Sequence, residues 1–523
     1  MNMKSGSYTK FGIWGGWLWI ICLFCTCKQD EPFTAKPVNE ALISGLDSVY
    51  LAMPGTVLQL NPQIKFTHDD APDSSRYRYE WFYINLIGFV GSVGTDNALI
   101  DTTRQLNYSV DQFQGAYNML FRVTDRKTGL FTEKPFRVYA ANEVYEGWMI
   151  LSEKGEQAQL DMLSYRVDSA KYVRIDNVLD KYQPQTQLQG HPVSIAFSMA
   201  TFFSMNLGGM IIGTTTGIDA YDGDLFRHVG SFQDYLPAGV EVNWGSTSYD
   251  GRLQTAILAG NGKAYIAGNG QMEYTPDFKT IDAVADINGV TSPIHVAPWI
   301  AVTKSFPYRQ SMVIYDEIGK EFLWIGPQEG GPAHRFGEGR LFNFKTGKEL
   351  LYLGYTEKEG GQFAAVLRDP GTGSVFLARF SLYDQFYYEQ IDAPGIGDAE
   401  HFAVRPGDGA LFYAIGNKLF AIDDQAKAGR EIMQFGANQI SKIKFNSFII
   451  TVPTDISYVG TTSSEERYNR IQDQLIVCTF NPADPDHSGA LHLFDIDAQQ
   501  FTVQERLYYD GFPKIIDVAY KER

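Results

Sequence analysis

Cysteine is nearly missing from this chain: there are four in 523 residues, and three of them (Cys22, Cys25 and Cys27) lie within six positions near the start. The body of the protein therefore has only Cys478, so a disulfide framework, a four-cysteine zinc site or a paired-thiol redox centre is excluded there. Cys478 sits in the apolar run "QLIVCTF", where a buried, inert thiol is expected. Basic residues are also few, 44 Lys and Arg against 61 Asp and Glu, for a formal net charge of −17. With no basic stripe or cluster, nucleic-acid binding is disfavoured. The negative field suits solubility and neutral or cationic partners. No apolar run reaches the roughly 20 residues that span a bilayer core. The patterns G-x-S-x-G, H-E-x-x-H, G-x-x-x-x-G-K-[ST] and G-x-G-x-x-G do not occur, no cofactor is implied, and the chain is read as not an enzyme.

The N-terminus carries Lys4 and Lys10, then the apolar segment "FGIWGGWLWIICLF" at 11–24. That length fits the middle of a secretory signal, while Gly12, Gly15 and Gly16 would each weaken a buried helix by about 1 kcal/mol. Export signals are cut after small residues. Cys22 and Cys25 follow the bulky Ile21 and Phe24, whereas Cys27 follows Thr26 and Cys25. The stretch "LFCTC" resembles a bacterial lipobox, with Cys27 as the acylated first residue of the mature chain; Phe24 departs from the Leu usual at that position. The following "KQDE" is similar to the acidic signal that directs Bacteroidetes lipoproteins to the outer face of the outer membrane. Removing residues 1–26 would take away two lysines and no acids, leaving a charge of −19.

Residues 27–37 read as a tether with two prolines. From 38 to 143, "DSVYLAM", "TVLQLNP", "RYRYEWFYI", "TRQLNYSV", "AYNMLFRVTD" and "KPFRVYAA" alternate apolar and polar residues between turn formers, the pattern of short antiparallel strands. "YEWFYIN" and "AYNMLFRVTD" resemble strands of the PKD-type immunoglobulin-like sandwich, which implies core positions for Trp81 and Tyr117.

From 145 to 523 a longer rhythm takes over. Strand-and-hairpin units begin near Trp148, Met210, Ala264, Met312, Ala364, Leu411 and Leu475, with successive starts 47 to 64 residues apart. A four-stranded propeller blade with its loops needs about 40–50 residues, so the expectation is a seven-bladed β-propeller. A further strand precedes several hairpins, in "VSIAFSM" (193–199), "PIHVAPWI" (293–300) and "EHFAVRP" (400–406). The unit at Trp148 lacks one, and the chain ends on "PKIIDVAYK" (513–521), a strand of that type with no hairpin after it. The all-β expectation is thus a PKD/Ig-like β-sandwich followed by a propeller closed by the C-terminal strand, which removes an open sheet edge.

Lipidated cysteine, PKD-like sandwich and β-rich remainder together resemble the PKD-like family lipoproteins of Bacteroidetes. That resemblance implies an outer-membrane, outward-facing accessory of a SusC/SusD-type TonB-dependent nutrient importer. Its cargo would be glycan or oligopeptide, and its role ligand capture or scaffolding; a glycan lyase or glycoside hydrolase on the propeller is the alternative. Propeller ligands approach the ends of the ring. The segments 234–252, 299–310 and 330–340 offer Trp244, Trp299, Tyr308, Arg309, His334 and Arg335, side chains able to stack on rings and donate hydrogen bonds; packing between blades is the plainer role for each. Asp219, Asp222 and Asp224 in "DAYDGDLF", and Asp484, Asp486 and His487 in "NPADPDHSG", carry oxygen and imidazole donors but sit on turn-forming sequence, so no metal is expected.

Overall fold

A computed structural model describes residues 38–85, 96–110, 115–167, 169–198, 209–249, 254–268, 277–303, 311–326, 331–448, 462–497 and 500–522. The chain is 56 % strand and 6 % helix. It divides into two compact units: residues up to 48 with 58–108 and 117–137, and residues 49–57 and 109–116 with 138 onward. Among the described residues no helix is long and apolar enough to cross a membrane.

The strands Asp96–Asp101, Tyr77–Asn85, Gly115–Asp125 and Phe131–Ala140, wholly or mostly in the smaller unit, lie side by side in that order, and Ala41–Ser44 pairs antiparallel with Gln63–Phe66. Trp81 is fully buried, its ring 4.2 Å from Phe121 and 5.9 Å edge-on from Phe136. Its indole N–H donates to the Thr103 carbonyl at 2.9 Å, as a buried indole requires. Tyr117 is only half-buried and meets Tyr83 at 5.7 Å, so it flanks the core rather than filling it. The strands Ala41–Ser44, Gln63–Phe66 and Asp96–Asp101, four to six residues long, were not expected from the sequence.

The larger unit contains seven four-stranded antiparallel sheets among the described residues. Six are built of consecutive strands, running outward from Pro192–Ser198, Val242–Tyr249, Ala301–Val302, Glu349–Thr356, His401–Val404 and Gln439–Lys444. The remaining sheet combines Gly147–Lys154, Gln157–Arg166 and Lys171–Ile175 with the C-terminal strand Lys514–Lys521, which pairs antiparallel with Gly147–Lys154, Trp148 facing Tyr520. The local reason is visible in the side chains. Ile515, Val518 and Tyr520 are buried with Trp148, Ile150 and Leu163 in one apolar cluster, and the Trp148 and Tyr520 rings meet edge-on at 5.0 Å. Gly147 opens the sheet at φ 143°, where a Cβ would run into the Leu163 carbonyl, a position only glycine fills.

Two expectations shift. The "AYIAGNG" run at Ala264 lies on the strand Lys263–Gly268, the third of its sheet rather than the second, because the preceding Gln254–Gly260 has the same small, apolar pattern. "PIHVAPWI" is not a strand throughout. Its sheet begins only at Ala301–Val302, with an isolated bridge from Val296 to Asp316 upstream; Pro293 and Pro298 remove donors a ladder would need. The helix Thr462–Gln472, between the strands Gln439–Lys444 and Leu475–Phe480, was also unforeseen. It carries Arg467 into the protein, where the guanidinium bonds Glu146 and lies 4.1 Å from the Tyr165 ring centre, while the Tyr520 hydroxyl donates to the same carboxylate at 2.7 Å.

Candidate functional site

The first strands of the six consecutive sheets and the C-terminal strand all contribute to the wall of one cavity of about 510 Å³. Its lining draws on Val193–Phe197, Asn243 and Gly245, Pro298–Val302, Tyr352–Glu357, His401–Val404, Lys442–Ser447, Asp517, Ala519 and Tyr520. Ligand sites of roughly 300–1,000 Å³ are usual for small molecules.

One half-buried ring lies along one side, backed by two rings buried in the core. Trp299, half-buried, meets Tyr352 edge-on at 5.3 Å, and Tyr352 stacks on Phe402 at 5.4 Å and 15°. Tyr352 folds back over Gly354, where a Cβ would collide with the tyrosine hydroxyl. Burial, opposed by a hydrogen bond with the Val404 backbone, pushes the Tyr352 phenol well above its ordinary range, so it stays a neutral hydrogen-bonding group at any physiological pH.

Charge concentrates elsewhere on the wall. Asp517 accepts hydrogen bonds from the Ile195 N–H at 3.1 Å, its neighbour Val518 N–H at 3.0 Å and Lys444 Nζ at 2.9 Å. Lys444 also donates to the Val518 carbonyl at 2.8 Å. This buried carboxylate therefore joins three sheets. Burial would raise its pKa, but the Lys442 and Lys444 ammoniums outweigh burial and hold it below the usual carboxylate range. Lys442, two residues before Lys444 and on the same side of the strand, lies 3.6 Å from Asp517, outside hydrogen-bond range. His401 also lines the cavity. Burial, then the charges of Lys442 and Lys514, push its imidazole down to about 4 despite a bond with the Ile440 backbone, so it is neutral at pH 7. Glu357, whose N–H bonds the Pro406 carbonyl at 2.7 Å, is a further carboxylate on the wall.

Of the residues proposed from sequence, Trp299 reaches this cavity. His334 and Arg335 occupy the outermost strand of their sheet. There His334 packs 4.5 Å from Trp324 and Arg335 forks onto Glu321 at 3.2 Å, a placement away from the wall. Trp244 lies opposite Ala259 in its sheet, but its side chain, like Tyr308, Arg309 and Cys27, lies outside the described residues. Asp222 accepts from the N–H groups of Asp224 and Leu225 and from Arg227, and Asp484 faces His487 at 3.0 Å. Among the described residues no group of three or more His, Cys, Asp or Glu is placed to hold a metal. Lys442, Lys444, His401 and Asp517 were missed by sequence reasoning. The available signal was charge inside otherwise apolar strands, in "ISKIKF" and "KIIDVAY".

No curated protein matches the chain. Among solved structures, it is similar to a quinonprotein alcohol dehydrogenase-like protein from Bacteroides thetaiotaomicron, at 8 % identity and a TM-score of 0.38, over 92 % of this chain and 96 % of that one. A protein from Lactobacillus plantarum aligns at 12 % identity and TM-score 0.41, over 72 % and 100 % of the two chains. Sqt1 from Saccharomyces cerevisiae aligns at 9 % and 0.40, over 72 % and 85 %. At these values nothing about activity passes to this chain. In sequence, residues 34–192 match the PKD-like family, a match that covers the expected sandwich and runs on through the strands Gly147–Lys154, Gln157–Arg166 and Lys171–Ile175.

Proposed function

We propose that this is a lipid-anchored, outward-facing outer-membrane protein whose larger unit is a seven-bladed propeller, and that its central cavity captures a small part of a glycan or oligopeptide for a SusC/SusD-type importer without catalysing a reaction on it. The observation that carries the capture reading is the cavity itself: all six consecutive sheets and the C-terminal strand supply its wall, which sets aromatic rings beside charged and neutral polar groups. The ring arrangement is supported by neighbour relations. The C-terminal strand Lys514–Lys521 touches both Gln439–Lys444 and Pro192–Ser198, so it lies between the last consecutive sheet and the first. The partnership with an importer rests on the PKD-like family match at 34–192 and on the lipobox-like stretch ending at Cys27.

The full chain, tagged at its C-terminus and purified from detergent-solubilised outer membranes, is expected to bring importer subunits with it. Recovery of the lipoprotein alone would count against the partnership. Metabolic labelling with a palmitate analogue is expected to mark the wild type and not Cys27→Ser; equal labelling of both would remove the anchor from the reading.

A further inference from the structure

We propose that the cavity contains an anion subsite at Lys442, and that the ligand it takes carries a carboxylate on a ring or other flat, apolar body. The inference rests on the capture reading of the same cavity and adds the chemical class of its ligand.

Two lysines and one acid meet on this wall. Asp517 accepts three hydrogen bonds, from Lys444 and two backbone N–H groups. Lys442 is left with a carboxylate oxygen at 3.6 Å and no hydrogen bond, although an ammonium has three donors to place. Its side chain is 31 % exposed and lies on the cavity wall. The groups packed against it add no second negative charge. His401 is on the adjacent first strand and Cys478 is opposite in register, and both stay neutral at pH 7. Lys444 beside it is a second cation. The remaining wall carboxylate, Glu357, follows the strand Glu349–Thr356, two sheets away from Lys442 in chain order. A chain of net charge −17 thus places an under-used cation in a partly enclosed space, where charge interactions are stronger than in bulk water.

The rest of the wall indicates what the anion is attached to. Of three rings in mutual contact beside this wall, Trp299 is half-buried and open to a ligand, while Tyr352 and Phe402 are buried in a core cluster and hold it in place. A half-buried indole favours the flat face of a sugar or an apolar side chain. A uronic acid residue and the C-terminal carboxylate of a short peptide share this chemistry.

Binding of trigalacturonate and of its methyl ester to the full chain, measured by titration calorimetry, separates charge from shape on the sugar side. An N-acetylated aromatic tripeptide and its amide do the same on the peptide side. At least one acid is expected to bind about tenfold more tightly than its neutral form, the size of one charge-assisted hydrogen bond, and which one identifies the source. Lys442→Gln is expected to abolish that difference and Lys442→Arg to keep most of it. The wild-type comparison of acid with neutral form does not depend on any variant folding. Equal affinity for acid and neutral forms overturns the anion subsite while leaving capture standing; so does a Lys442→Gln variant that keeps the tenfold preference. Failure of both acids to bind overturns it as well, and capture is then judged by the envelope purification.

Discussion

Deleting residues 513–523 removes a strand that this reading makes essential to the whole larger unit. Ile515 and Val518 are wholly buried and Tyr520 is 1 % exposed. Fully burying one large apolar side chain contributes about 1.5–3 kcal/mol, so the three together account for roughly 5–9 kcal/mol. Asp517, which bonds to both Ile195 and Lys444, is lost with them. That total is comparable to the entire 5–15 kcal/mol of a typical folded domain, so the truncated chain is expected to lose cooperative unfolding of this unit. A milder version, Ile515→Ala, is expected to cost about 2–5 kcal/mol, read as a lower urea midpoint with an unchanged slope. Hydrogen exchange then locates the loss. If the sheets close a ring through this strand, protection falls in distant strands such as Leu411–Ile415 as well as in Gly147–Lys154. A truncation that melts like the full-length protein refutes the reasoning. A loss of protection confined to the sheet of Gly147–Lys154 refutes the ring while leaving the local packing intact.

Three further perturbations test other parts of the structure. Arg467→Ala strands the Glu146 carboxylate, which is 2 % exposed, and is expected to destabilise by about 3–5 kcal/mol; chemical denaturation of a Glu146→Gln/Arg467→Met double variant should show a smaller loss than the single change. His401 has its folded pKa pushed down to about 4 from an ordinary 6.5, so the neutral form belongs to the folded state. Its contribution is present above pH 6.5 and is lost as pH falls towards 4, by at most about 3 kcal/mol, and His401→Gln should flatten that part of a melting-temperature profile. Cys478 is buried, and burial above all pushes its thiol up to about 12, so a thiol reagent should label it at pH 7 only as fast as the protein opens; rapid labelling in native buffer would contradict its placement.

The β-rich character of both units was legible because apolar alternation and turn residues survive as local signals. Trp81 was readable as core for the same reason, while Tyr117 was not, since strand alternation does not separate a core position from its rim. The shift at Ala264 came from two adjacent strands with nearly the same composition, Gln254–Gly260 and Lys263–Gly268. The helix Thr462–Gln472 was hidden because, of its described buried side chains Arg467, Tyr468 and Ile471, only one is aliphatic and no apolar stripe forms. The site was less legible than the fold. Sequence reasoning looked for rings and cations in loops, but His334 and Arg335 pair within their own sheet. The wall of the cavity is instead made by first strands far apart in sequence, and no local pattern announces that Lys442 and Asp517 will meet.

The two lysines of "SKIKF" illustrate how one strand can divide charge between structure and recognition. Lys444 forms a direct hydrogen bond to Asp517 and another to the Val518 carbonyl, so its charge is spent inside the joint between neighbouring sheets, and removing it leaves a buried carboxylate exposed to the penalty of desolvation. Lys442 stands one alternation earlier, too far from the same carboxylate for a hydrogen bond. Its Coulomb effect still reaches Asp517, which helps explain why the acid stays ionised although buried. The stability of the joint thus depends on contact at Lys444 and only on field at Lys442. Loss of either should therefore lower the melting temperature, but only loss of Lys442 should also abolish the preference for the acid ligand, a separation that a merely structural pair of lysines would not produce.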